Sequence, residues 1–419
     1  MMKPVGKLLY VFGLWLYKTT LTLVSPFHAK AAKMIAGRRI AFKAIHAFAE
    51  KDKREKIWFH CASLGEFEQV RPLIERYKTE RPELAILLTF FSPSGYEVRK
   101  NYALADCVTY LPFDSAKNAK RLINEVKPIQ VFFAKYDLWY FYLREVHNQK
   151  IKTYLIAANF RKDQLYFKTY GKFFHQILHY FTCIFSQFDA STELLHQHGI
   201  STALTSGDTR YDRVAAIAGN SEPIPVLEQF KEQKTVGLLG SSYTNEETIA
   251  LEVARQFRGK VKWIIAPHQV TDERIHQIQN AFKEFKTVRF SETDEGESAT
   301  AEILILDTIG HLGNAYQYAD FAMVGGGFGN QGIHNMLEPL AQGAPVWVGP
   351  KNHEKFPETK LALQYGVAQI LNDAEELTNW IEKVVLNEQE RAGLKSNCFA
   401  FIHKREGATE AIWKQINTV

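Results

Sequence analysis

Short apolar runs alternate with helical stretches along most of this sequence, and the alternation occurs twice. The first series of expected strands is Ile57–His60, Ala85–Phe90, Val108–Leu111, Gln130–Phe133, Lys152–Ala157 and Cys183–Ser186. The second series is Thr235–Leu239, Val261–Ala266, Glu302–Leu306, Phe321–Val324, Val346–Val348 and Ala368–Leu371. Parallel strands buried on both faces are apolar throughout and alternate with helices, so the sequence predicts an α/β fold with two Rossmann-like domains.

A segment rich in proline and glycine, Ala218 to Val226, separates the two series. A chain of 419 residues is also too long for one ordinary core. The predicted organisation is an N-terminal segment at 1–49, an α/β domain at 50–217, a linker at 218–232, a second α/β domain at 233–395 and a C-terminal helix at 396–419. Two such domains are expected to face a cleft, where ligands commonly bind.

The N-terminal segment begins with an apolar run, Leu8 to Tyr17, that Lys7 and Lys18 flank closely. About 20 apolar residues are needed to span a bilayer, so the run is short for a crossing. A signal peptide is the alternative, but no small-residue cleavage site follows. The run has no evident place in a parallel sheet, and we expect a chain lacking residues 1–27 to fold.

A helical pattern with apolar and basic positions follows at Ala29 to Ala49. Its apolar positions are Met34, Ile35, Phe42, Ile45 and Phe48, and its basic positions are Lys30, Lys33, Arg38, Arg39 and Lys43. Such a helix suits the headgroup layer of an anionic membrane leaflet, and we favour a membrane-anchoring segment that lies in the surface. A helix that simply covers the domain surface is the alternative.

Charge and cysteine usage exclude several classes of protein. The net charge of +5 is mild and lacks the concentrated basic footprint of a nucleic-acid binder. The cysteines Cys61, Cys107, Cys183 and Cys398 are scattered, without a CxxC pair or a histidine cluster at metal spacing. A disulfide framework and a zinc site are therefore not expected, and a reducing compartment fits.

The first strand leads into polar residues at the start of a helix. Ser63 can cap that helix and Glu66 falls three residues later, so a structural capping box is one interpretation. The functional interpretation is that Gly65 lets a substrate approach the helix N-terminus. Glu66, at the carboxyl end of a strand, could then remove a proton from a hydroxyl group.

The second half carries small residues at several strand ends. Gly240 and Ser241 follow one strand and could cradle a phosphate with backbone N–H groups. The other candidate positions for a nucleotide are Pro267, His268, Gly310, Gly325, Gly326, Gly327, His334, Asn335 and Glu338, the last as an acceptor for ribose hydroxyls. Structural turns are the alternative. No GxGxxG follows the first strand and no GxxxxGK[ST] occurs, which disfavours a nicotinamide dehydrogenase or a P-loop enzyme.

Several stretches in this order resemble the 3-deoxy-D-manno-octulosonic acid (Kdo) transferases that decorate lipid A precursor. The stretches are His60 to Pro72 (HCASLGEFEQVRP), Ala157 to Arg161 (AANFR), Ser206 to Val214 (SGDTRYDRV), Gly240 to Glu247 (GSSYTNEE), Asp307 to Asp320 (DTIGHLGNAYQYAD) and Gly325 to Pro350 (GGGFGNQGIHNMLEPLAQGAPVWVGP). The resemblance covers nearly the whole chain.

The resemblance implies a GT-B fold and an inverting, metal-independent glycosyltransferase without a cofactor. CMP-Kdo would be the donor, held by the second domain, and lipid A precursor the acceptor, reached through the first. Glu66 takes the position of the catalytic base, with Ser63, Gly65, Asp137 and Arg161 on the acceptor side. Arg210 stands where the family usually has lysine and could offset leaving-group charge. The further partners would be anionic lipids at the cytoplasmic face of the inner membrane. Nucleic acid is not expected as a partner.

The sequence also departs from the family pattern. Lys135 to Trp139 (KYDLW) stands where the family has Glu-Thr-Glu-Leu-Trp, so a lysine replaces a glutamate expected near the acceptor. Pro267-His268 replaces Pro-Arg-His, Gly310-His311-Leu312 replaces Gly-Glu-Leu, and Gly332-Ile333-His334-Asn335 replaces Gly-Gly-His-Asn. These changes mark a divergent branch or an altered donor or acceptor.

Two other functions stay open at this point. A UDP-sugar transferase or a UDP-N-acetylglucosamine 2-epimerase would keep the fold, although a soluble epimerase would not need the apolar, basic N-terminus. A non-catalytic lipid-binding protein is the second alternative, and Lys135 in place of glutamate favours it. The presence of Glu66 and of the nucleotide-site residues argues against it.

Overall fold

A computed structural model describes residues 4–330 and 332–418. Residues 1–3 of the predicted membrane segment, Gln331 in the glycine-rich stretch and Val419 at the end of the predicted last helix lie outside the described residues. The chain divides into two compact units. Unit 1 contains the chain up to Asp212 together with the segment from Gly407 onward, and unit 2 runs from Arg213 to Glu406.

Unit 1 is a parallel sheet with helices on both faces. Its strands are β1 (Lys56–Cys61), β2 (Ala85–Phe90), β3 (Cys107–Tyr110), β4 (Pro128–Ala134), β5 (Lys152–Ala158), β6 (Cys183–Ser186) and β7 (Ala203–Thr205). Its helices are α1 (Pro4–Val24), α2 (Ala29–Lys51), α3 (Leu64–Glu80), α4 (Pro93–Arg99), α5 (Ala116–Val126), α6 (Tyr140–Asn148), α7 (Lys172–Leu178) and α8 (Asp189–Gln197), with α9 (Thr209–Gly219) crossing the boundary between units. Short 3₁₀ turns occur at Leu165–Phe167 and Thr169–Gly171.

The sheet of unit 1 has the strand order β3-β2-β1-β4-β5-β6-β7. Trp58 of β1 lies beside Leu87 of β2 and Val131 of β4, so the first strand is central and parallel to both neighbours. The predicted alternation is confirmed here. β7 was not predicted, because its three residues include two exposed side chains and make no continuous apolar run.

Unit 2 repeats this architecture. Its strands are β8 (Thr235–Ser242), β9 (Val261–Pro267), β10 (Thr287–Arg289), β11 (Ile303–Ile305), β12 (Phe321–Val324), β13 (Val346–Val348) and β14 (Ala368–Ile370). Its helices are α10 (Pro225–Lys231), α11 (Thr244–Gln256), α12 (Asp272–Ala281), α13 (Glu295–Thr300), α14 (Leu312–Ala315), α15 (Leu337–Ala341), α16 (Pro357–Gln364), α17 (Ala374–Trp380) and α18 (Glu388–His403), with 3₁₀ turns at Tyr316–Tyr318 and His353–Lys355 and a π turn at Ile381–Val385. The parallel sheet order is β10-β11-β9-β8-β12-β13-β14.

The C-terminal helix predicted at 396–419 is two helices in the structure. α18 ends at His403, Gly407 adopts a φ of +102°, and a second helix, α19 (Ala408–Thr418), follows. α19 belongs to unit 1, where Ile412 and Ile416 are buried in the same cluster as the apolar face of α3. A residue in the left-handed region cannot continue a right-handed helix, so Gly407, directly before α19, separates the two helices.

The linker predicted at 218–232 also differs from the structure. Proline starts α10 within it, and Leu227 and Phe230 of that helix are fully buried in the core of unit 2. Proline is well tolerated in the first turn of a helix because its missing N–H would have no intrahelical partner there. The segment is therefore largely part of the second domain.

The apolar positions of α2 pack inside unit 1, which corrects the favoured interpretation of that helix. Met34, Ile45 and Phe48 are buried, the last two within a cluster that covers one face of the sheet, and Phe42 packs against that cluster. A face that packs on the sheet is not available to a membrane. The surface-helix alternative describes α2.

α1 also contacts the core, and these contacts weigh against the expectation that a chain lacking residues 1–27 folds. The Tyr10 hydroxyl donates to Asp114 over 2.7 Å, and the Tyr10 ring packs edge-on against Tyr140. Asp114 also accepts the backbone N–H groups of Phe141 and Tyr142. Burial raises the pKa of Asp114 to about 6. One face of α1 therefore packs against the hydrophobic core.

The other face of α1 is exposed and apolar. Its exposed side chains are Val5, Leu8, Leu9, Val11, Phe12, Trp15, Leu16, Tyr17, Leu23 and Val24, followed by Phe27, which is 90% exposed. Among the described residues no single helix is long and apolar enough to cross a membrane, and α1 with α2 passes that test only as a pair bent by 114°. The apolar surface of the N-terminal segment lies on α1 and not on α2.

We expect Tyr10→Phe to lower the free energy of unfolding by about 1–3 kcal/mol, because it leaves the buried Asp114 carboxyl without one of its donors. Tyr170→Phe is the matched control, since Tyr170 is 79% exposed and loses only a solvated hydroxyl. Urea denaturation of both variants measures the difference. Equal stabilities would contradict the role of α1 in the core.

Candidate active site

The sheet of unit 1 has a topological switch point between β1 and β4. From β1 the chain builds β2 and β3 on one side, and from β4 onward it builds the other side. Ligands of open α/β sheets bind outside the carboxyl ends of the strands at this point. β1 ends at Cys61, three residues before α3 begins, and β4 ends at Ala134. Glu66 and Asp137 follow these two strand ends.

Glu66 lies in the first turn of α3 and points back to the strand end. Its carboxylate accepts the backbone N–H of Ser63 over 3.2 Å and makes a short hydrogen bond with the N–H of Ala62. Burial raises the pKa of Glu66, although the Ala62 N–H and the positive charge of Lys135 act in the opposite direction. The capping interpretation thus holds for the backbone contacts, and it places a carboxyl with a raised pKa at the switch point.

Asp137 lies next to Glu66, close enough for the two carboxyl groups to influence each other's pKa. Burial, and then repulsion from the Glu66 charge, raise the pKa of Asp137 well above its usual range. Two adjacent buried carboxylates repel each other and are poorly solvated, so the pair carries one negative charge near neutral pH. Glu66 is the ionised member, because its carboxylate accepts two backbone N–H groups and lies near the positive charge of Lys135, whereas Asp137 Oδ2 has no hydrogen-bond partner among the described residues.

A buried histidine on β1 contacts the Asp137 member of this pair. His60 is fully buried on β1 and its Nδ1 lies 2.9 Å from the Thr89 hydroxyl. Its Nε2 accepts the indole N–H of Trp139 over 3.0 Å and lies 3.4 Å from an Asp137 oxygen. Burial lowers the pKa of His60 to about 3, so the ring is neutral and adds no charge to the pair. His60 and Trp139 therefore position Asp137.

Lys135 supplies the positive charge next to Glu66. It is the first residue after β4 and has a φ of +52°. Residues other than glycine rarely adopt such a backbone angle outside functional or tightly constrained positions. The backbone N–H of Lys135 donates to the Ile156 carbonyl of β5, so the strained residue is held by the sheet.

We expect Lys135→Met to move the acid limb of the pH profile of the enzymatic rate to higher pH. Loss of the neighbouring cation disfavours the Glu66 carboxylate and raises its pKa further, so less of the ionised form is present at any given pH. Lys150→Met is the matched control, because Lys150 is exposed and has a similar φ of +55°. An unchanged limb in Lys135→Met would contradict the electrostatic role.

The other predicted acceptor-side residues are placed differently. Ser63 is the residue before α3, and Gly65 is in its first turn, where an added side-chain carbon would meet no heavy atom within 4 Å. Arg161 lies after β5, where it is exposed and pairs with Asp163 at 3.6 Å. Arg210, predicted for the nucleotide sugar, belongs to unit 1 and binds Asp208 with its guanidinium at 2.7 to 3.1 Å.

The sheet of unit 2 has its own switch point between β8 and β12. Gly240 and Ser241 lie just before the last residue of β8, and Gly325, Gly326 and Gly327 follow β12 directly. Ser241 has a φ of +53°. A side-chain carbon at Gly325 would lie 2.1 Å from the Ser241 carbonyl oxygen. The two predicted glycine-containing strand ends therefore touch, and they do so because glycine permits the close approach.

Two of the glycine amides are already engaged within unit 2. The Gly325 N–H donates to the Gly240 carbonyl over 2.9 Å. The Gly326 N–H donates over 2.8 Å to Glu246, whose carboxyl is buried in the first turn of α11. These N–H groups are not available to a phosphate. The structural interpretation of the turn accounts for these two amides.

Three aromatic rings stack at the same edge of the sheet. His268, one residue after β9, lies 4.5 Å from His334, and Tyr243 stacks on both, at 5.1 and 5.8 Å. The Tyr243 hydroxyl lies 3.1 Å from His334 Nε2. Burial lowers the pKa of His268 and lowers that of His334 to about 4, so both imidazoles are neutral at pH 7. The structure brings together two histidines predicted for the donor site.

The other predicted donor-site residues lie at loops of this edge. Asn335 donates its side-chain N–H to Glu338 over 2.9 Å, and Glu338 lies near the buried Tyr316, whose pKa it helps to raise. The Tyr316 hydroxyl would lie 1.9 Å from a side-chain carbon at Gly240, which places Tyr316 against the end of β8. Pro267 ends β9, and Gly310 sits in an open loop with a φ of +97°.

Sequence reasoning did not assign a role to four residues of these sites: His60, Trp139, Tyr243 and Glu246. Each lies within a stretch that resembles the family or next to one, but each is polar or aromatic at a position where packing alone explains it. Their contacts distinguish them from ordinary core residues: His60 with Asp137 and Trp139, Tyr243 with His334, and Glu246 with the Gly326 N–H.

Known proteins resemble the chain over most of its length. Residues 37–213 match the model of the family described as 3-deoxy-D-manno-octulosonic-acid transferase (kdotransferase). A 3-deoxy-D-manno-octulosonic acid transferase of Aquifex aeolicus is 25% identical over 351 residues, covering 83% of this chain and 91% of that protein. The chain is thus similar to Kdo transferases over most of its length, and its residues 37–213 match their family model. It is a glycosyltransferase, as the resemblance of the sequence motifs implied.

Two further proteins bear on length and fold. A bifunctional glycosyltransferase/methyltransferase of Fusobacterium nucleatum is 26% identical over 392 residues, and the match covers 88% of this chain but only 58% of that protein. The crystal structure of a UDP-GlcNAc 2-epimerase from Neisseria meningitidis matches with a TM-score of 0.60 at 13% identity, covering 87% of this chain and all of that one. This likeness and the two parallel-sheet units establish the GT-B fold class.

Proposed function

We propose that the chain transfers Kdo from CMP-Kdo to a lipid A precursor, with inversion and without a metal ion. The observation that carries the proposal is the Glu66–Asp137 pair, a singly charged carboxyl pair at the switch point of unit 1. Relatives that are themselves Kdo transferases support the choice of donor sugar.

Glu66 acts as the general base in this proposal. Its carboxylate removes the proton of an acceptor hydroxyl while that oxygen forms a bond to the anomeric carbon of Kdo. The bond from that carbon to the phosphate oxygen breaks, and CMP leaves with the electron pair. A single displacement from the opposite face inverts the anomeric configuration. Asp137 stays protonated beside the base. Ser63, Gly65 and Arg161 contact the acceptor.

Unit 2 binds the nucleotide in this proposal. The stacked rings of Tyr243, His268 and His334 form the wall of the site, and Glu338 accepts the ribose hydroxyls. The phosphate lies near Ser241 and the backbone around Gly327, because the amides of the preceding two glycines are engaged elsewhere. Arg210 offsets charge on the departing phosphate.

We expect Glu338→Ala to weaken CMP binding roughly tenfold or more, because hydrogen bonds to a charged group contribute about 1.5–3 kcal/mol. Glu375→Ala, in the first turn of α17, is the control for loss of a carboxylate elsewhere in unit 2. Calorimetric titration with CMP, in buffer containing EDTA, measures both variants. Unchanged CMP affinity in Glu338→Ala would contradict the assignment of Glu338 to the nucleotide site. Loss of sugar transfer by the wild type in EDTA would contradict a reaction without a metal ion.

The acceptor is reached at a membrane surface in this proposal. The exposed apolar face of α1 enters the cytoplasmic leaflet of the inner membrane while its other face stays in the core of unit 1. This attachment holds the chain where a lipid acceptor is presented.

The test is incubation of the purified chain with CMP-Kdo and lipid A precursor, with mass spectrometry of the lipid. The expected product is heavier by one or more Kdo residues, and UDP-GlcNAc in place of CMP-Kdo yields none. Transfer from a UDP-sugar, or conversion of UDP-GlcNAc without any lipid, would favour the alternative enzymes. A lipid that binds but never changes in mass would favour the non-catalytic alternative.

A further inference from the structure

A basic pocket opens between α1 and α2. It has a volume of about 390 Å³, the size of a small-molecule site. Three cations line it: Lys18 from α1 with Arg38 and Arg39 from α2. Its apolar walls are Ile35, Phe42 and Phe113.

The buried member of these cations is Arg38. Its side chain is only 7% exposed, and its guanidinium lies over the rings of Phe91 and Phe113 at 4.4 and 4.7 Å. Two of its nitrogens donate to the carbonyls of Met34 and Phe91, and its Nε has no hydrogen-bond partner among the described residues. Within the part of the chain that the structure describes, Arg38 makes no ion pair with a carboxylate. Burying a cation without a counter-charge destabilises a fold by several kcal/mol, so a purely structural role does not explain why Arg38 is buried here.

The other two cations add charge without neutralising it. Lys18 and Arg39 are exposed, and the Lys18 ammonium lies 5.8 Å from the centre of the Phe113 ring. Neither forms an ion pair with any described residue. By contrast, Lys33 on the same helix as Arg39 lies 3.8 Å from Glu97. The pocket thus concentrates three positive charges against apolar walls, and no carboxylate of residues 4–330 or 332–418 pairs with them.

We propose that this pocket binds the phosphate of an anionic phospholipid, one lipid per chain. The pocket adjoins the exposed apolar face of α1, where Trp15 and Leu16 closely precede Lys18, so the acyl chains of a lipid bound there have an apolar surface to follow. Arginine suits phosphate because its planar fork matches the phosphate oxygens.

A discrete site and a general basic surface predict different results. Each exposed basic residue near an anionic membrane strengthens binding by a similar amount whatever its position, and this contribution falls as salt rises. In a pocket, the contribution of a basic residue to lipid binding depends on its position, and part of that contribution persists at high salt. We therefore compare Lys18→Gln/Arg39→Gln with Lys30→Gln/Lys43→Gln, which removes two charges from α2 outside the pocket.

The experiment titrates the full-length protein with monomeric short-chain phosphatidylglycerol, short-chain phosphatidylcholine and inorganic phosphate. We expect saturable one-to-one binding of phosphatidylglycerol, at least tenfold weaker in the pocket double variant and unchanged in the control double variant. Equal loss in both double variants, or loss of binding in high salt, would overturn the proposal in favour of a surface-charge effect. Equal affinity for inorganic phosphate would identify a free-phosphate site, and equal affinity for phosphatidylcholine an apolar one, and either would overturn it.

Discussion

Glu66→Gln is expected to lower turnover by about 10²–10⁴, the range typical of a lost general base. Glutamine is nearly isosteric, and its amide oxygen can still accept the N–H groups of Ala62 and Ser63 at the start of α3. Those contacts preserve the local fold, so the loss falls on the chemical step. Steady-state and single-turnover transfer assays measure it, and CMP affinity should be unchanged.

Glu75→Gln is the control for this substitution. Glu75 lies on the same helix, pairs with Arg71 at 2.7 Å and is far along the helix from the strand end. Loss of a partly exposed ion pair contributes less than about 1 kcal/mol to stability and nothing to a proton transfer. Near-normal turnover in Glu66→Gln would return Glu66 to a capping role and move the search to Asp137.

Gly326→Ala is expected to lower the free energy of unfolding by about 2–5 kcal/mol, the sum of left-handed backbone strain and overpacking. Gly326 has a φ of +97°, and an added side-chain carbon would lie 2.1 Å from the carbonyl oxygen of Gly332. The displaced loop carries His334, so CMP affinity should fall as well. Thermal denaturation and CMP titration measure the two effects.

Gly310→Ala separates the two causes. Gly310 has the same φ of +97°, but an added side-chain carbon there meets nothing within 4 Å. It should therefore lose only the backbone cost of about 1–2 kcal/mol. Equal destabilisation of the two variants would mean that the close approach at Gly326 is not what requires glycine.

The strands were predictable because burial on both sheet faces makes them continuous apolar runs. Ala85–Phe90, Cys183–Ser186, Phe321–Val324 and Val346–Val348 have the bounds that the sequence predicts. The strand ends followed from the strands, since parallel strands place their carboxyl ends on one edge. Glu66 and the glycines of unit 2 were found in this way.

Packing partners were not predictable in the same manner. The pattern of α2 is amphipathic whether its apolar face meets a sheet or a membrane, and only contacts such as Ile45 in the core decide between them. Tyr10 looks like one more aromatic residue in an apolar run until Asp114, over a hundred residues away, is seen beside it. The engagement of the Gly326 amide by Glu246 is equally a matter of three-dimensional contact.

The ionisation of Glu66 itself tests the account most directly. Infrared difference spectra between wild type labelled with ¹³C at glutamate carboxyls and labelled Glu66→Gln isolate the signal of this group as pH is varied. Glu66 is expected to have a pKa above that of an ordinary glutamate, coincident with the acid limb of kcat/KM for Kdo transfer. A Glu66 that titrates in the ordinary range, or a rate limb that does not follow its ionisation, would contradict the assignment of Glu66 as the base.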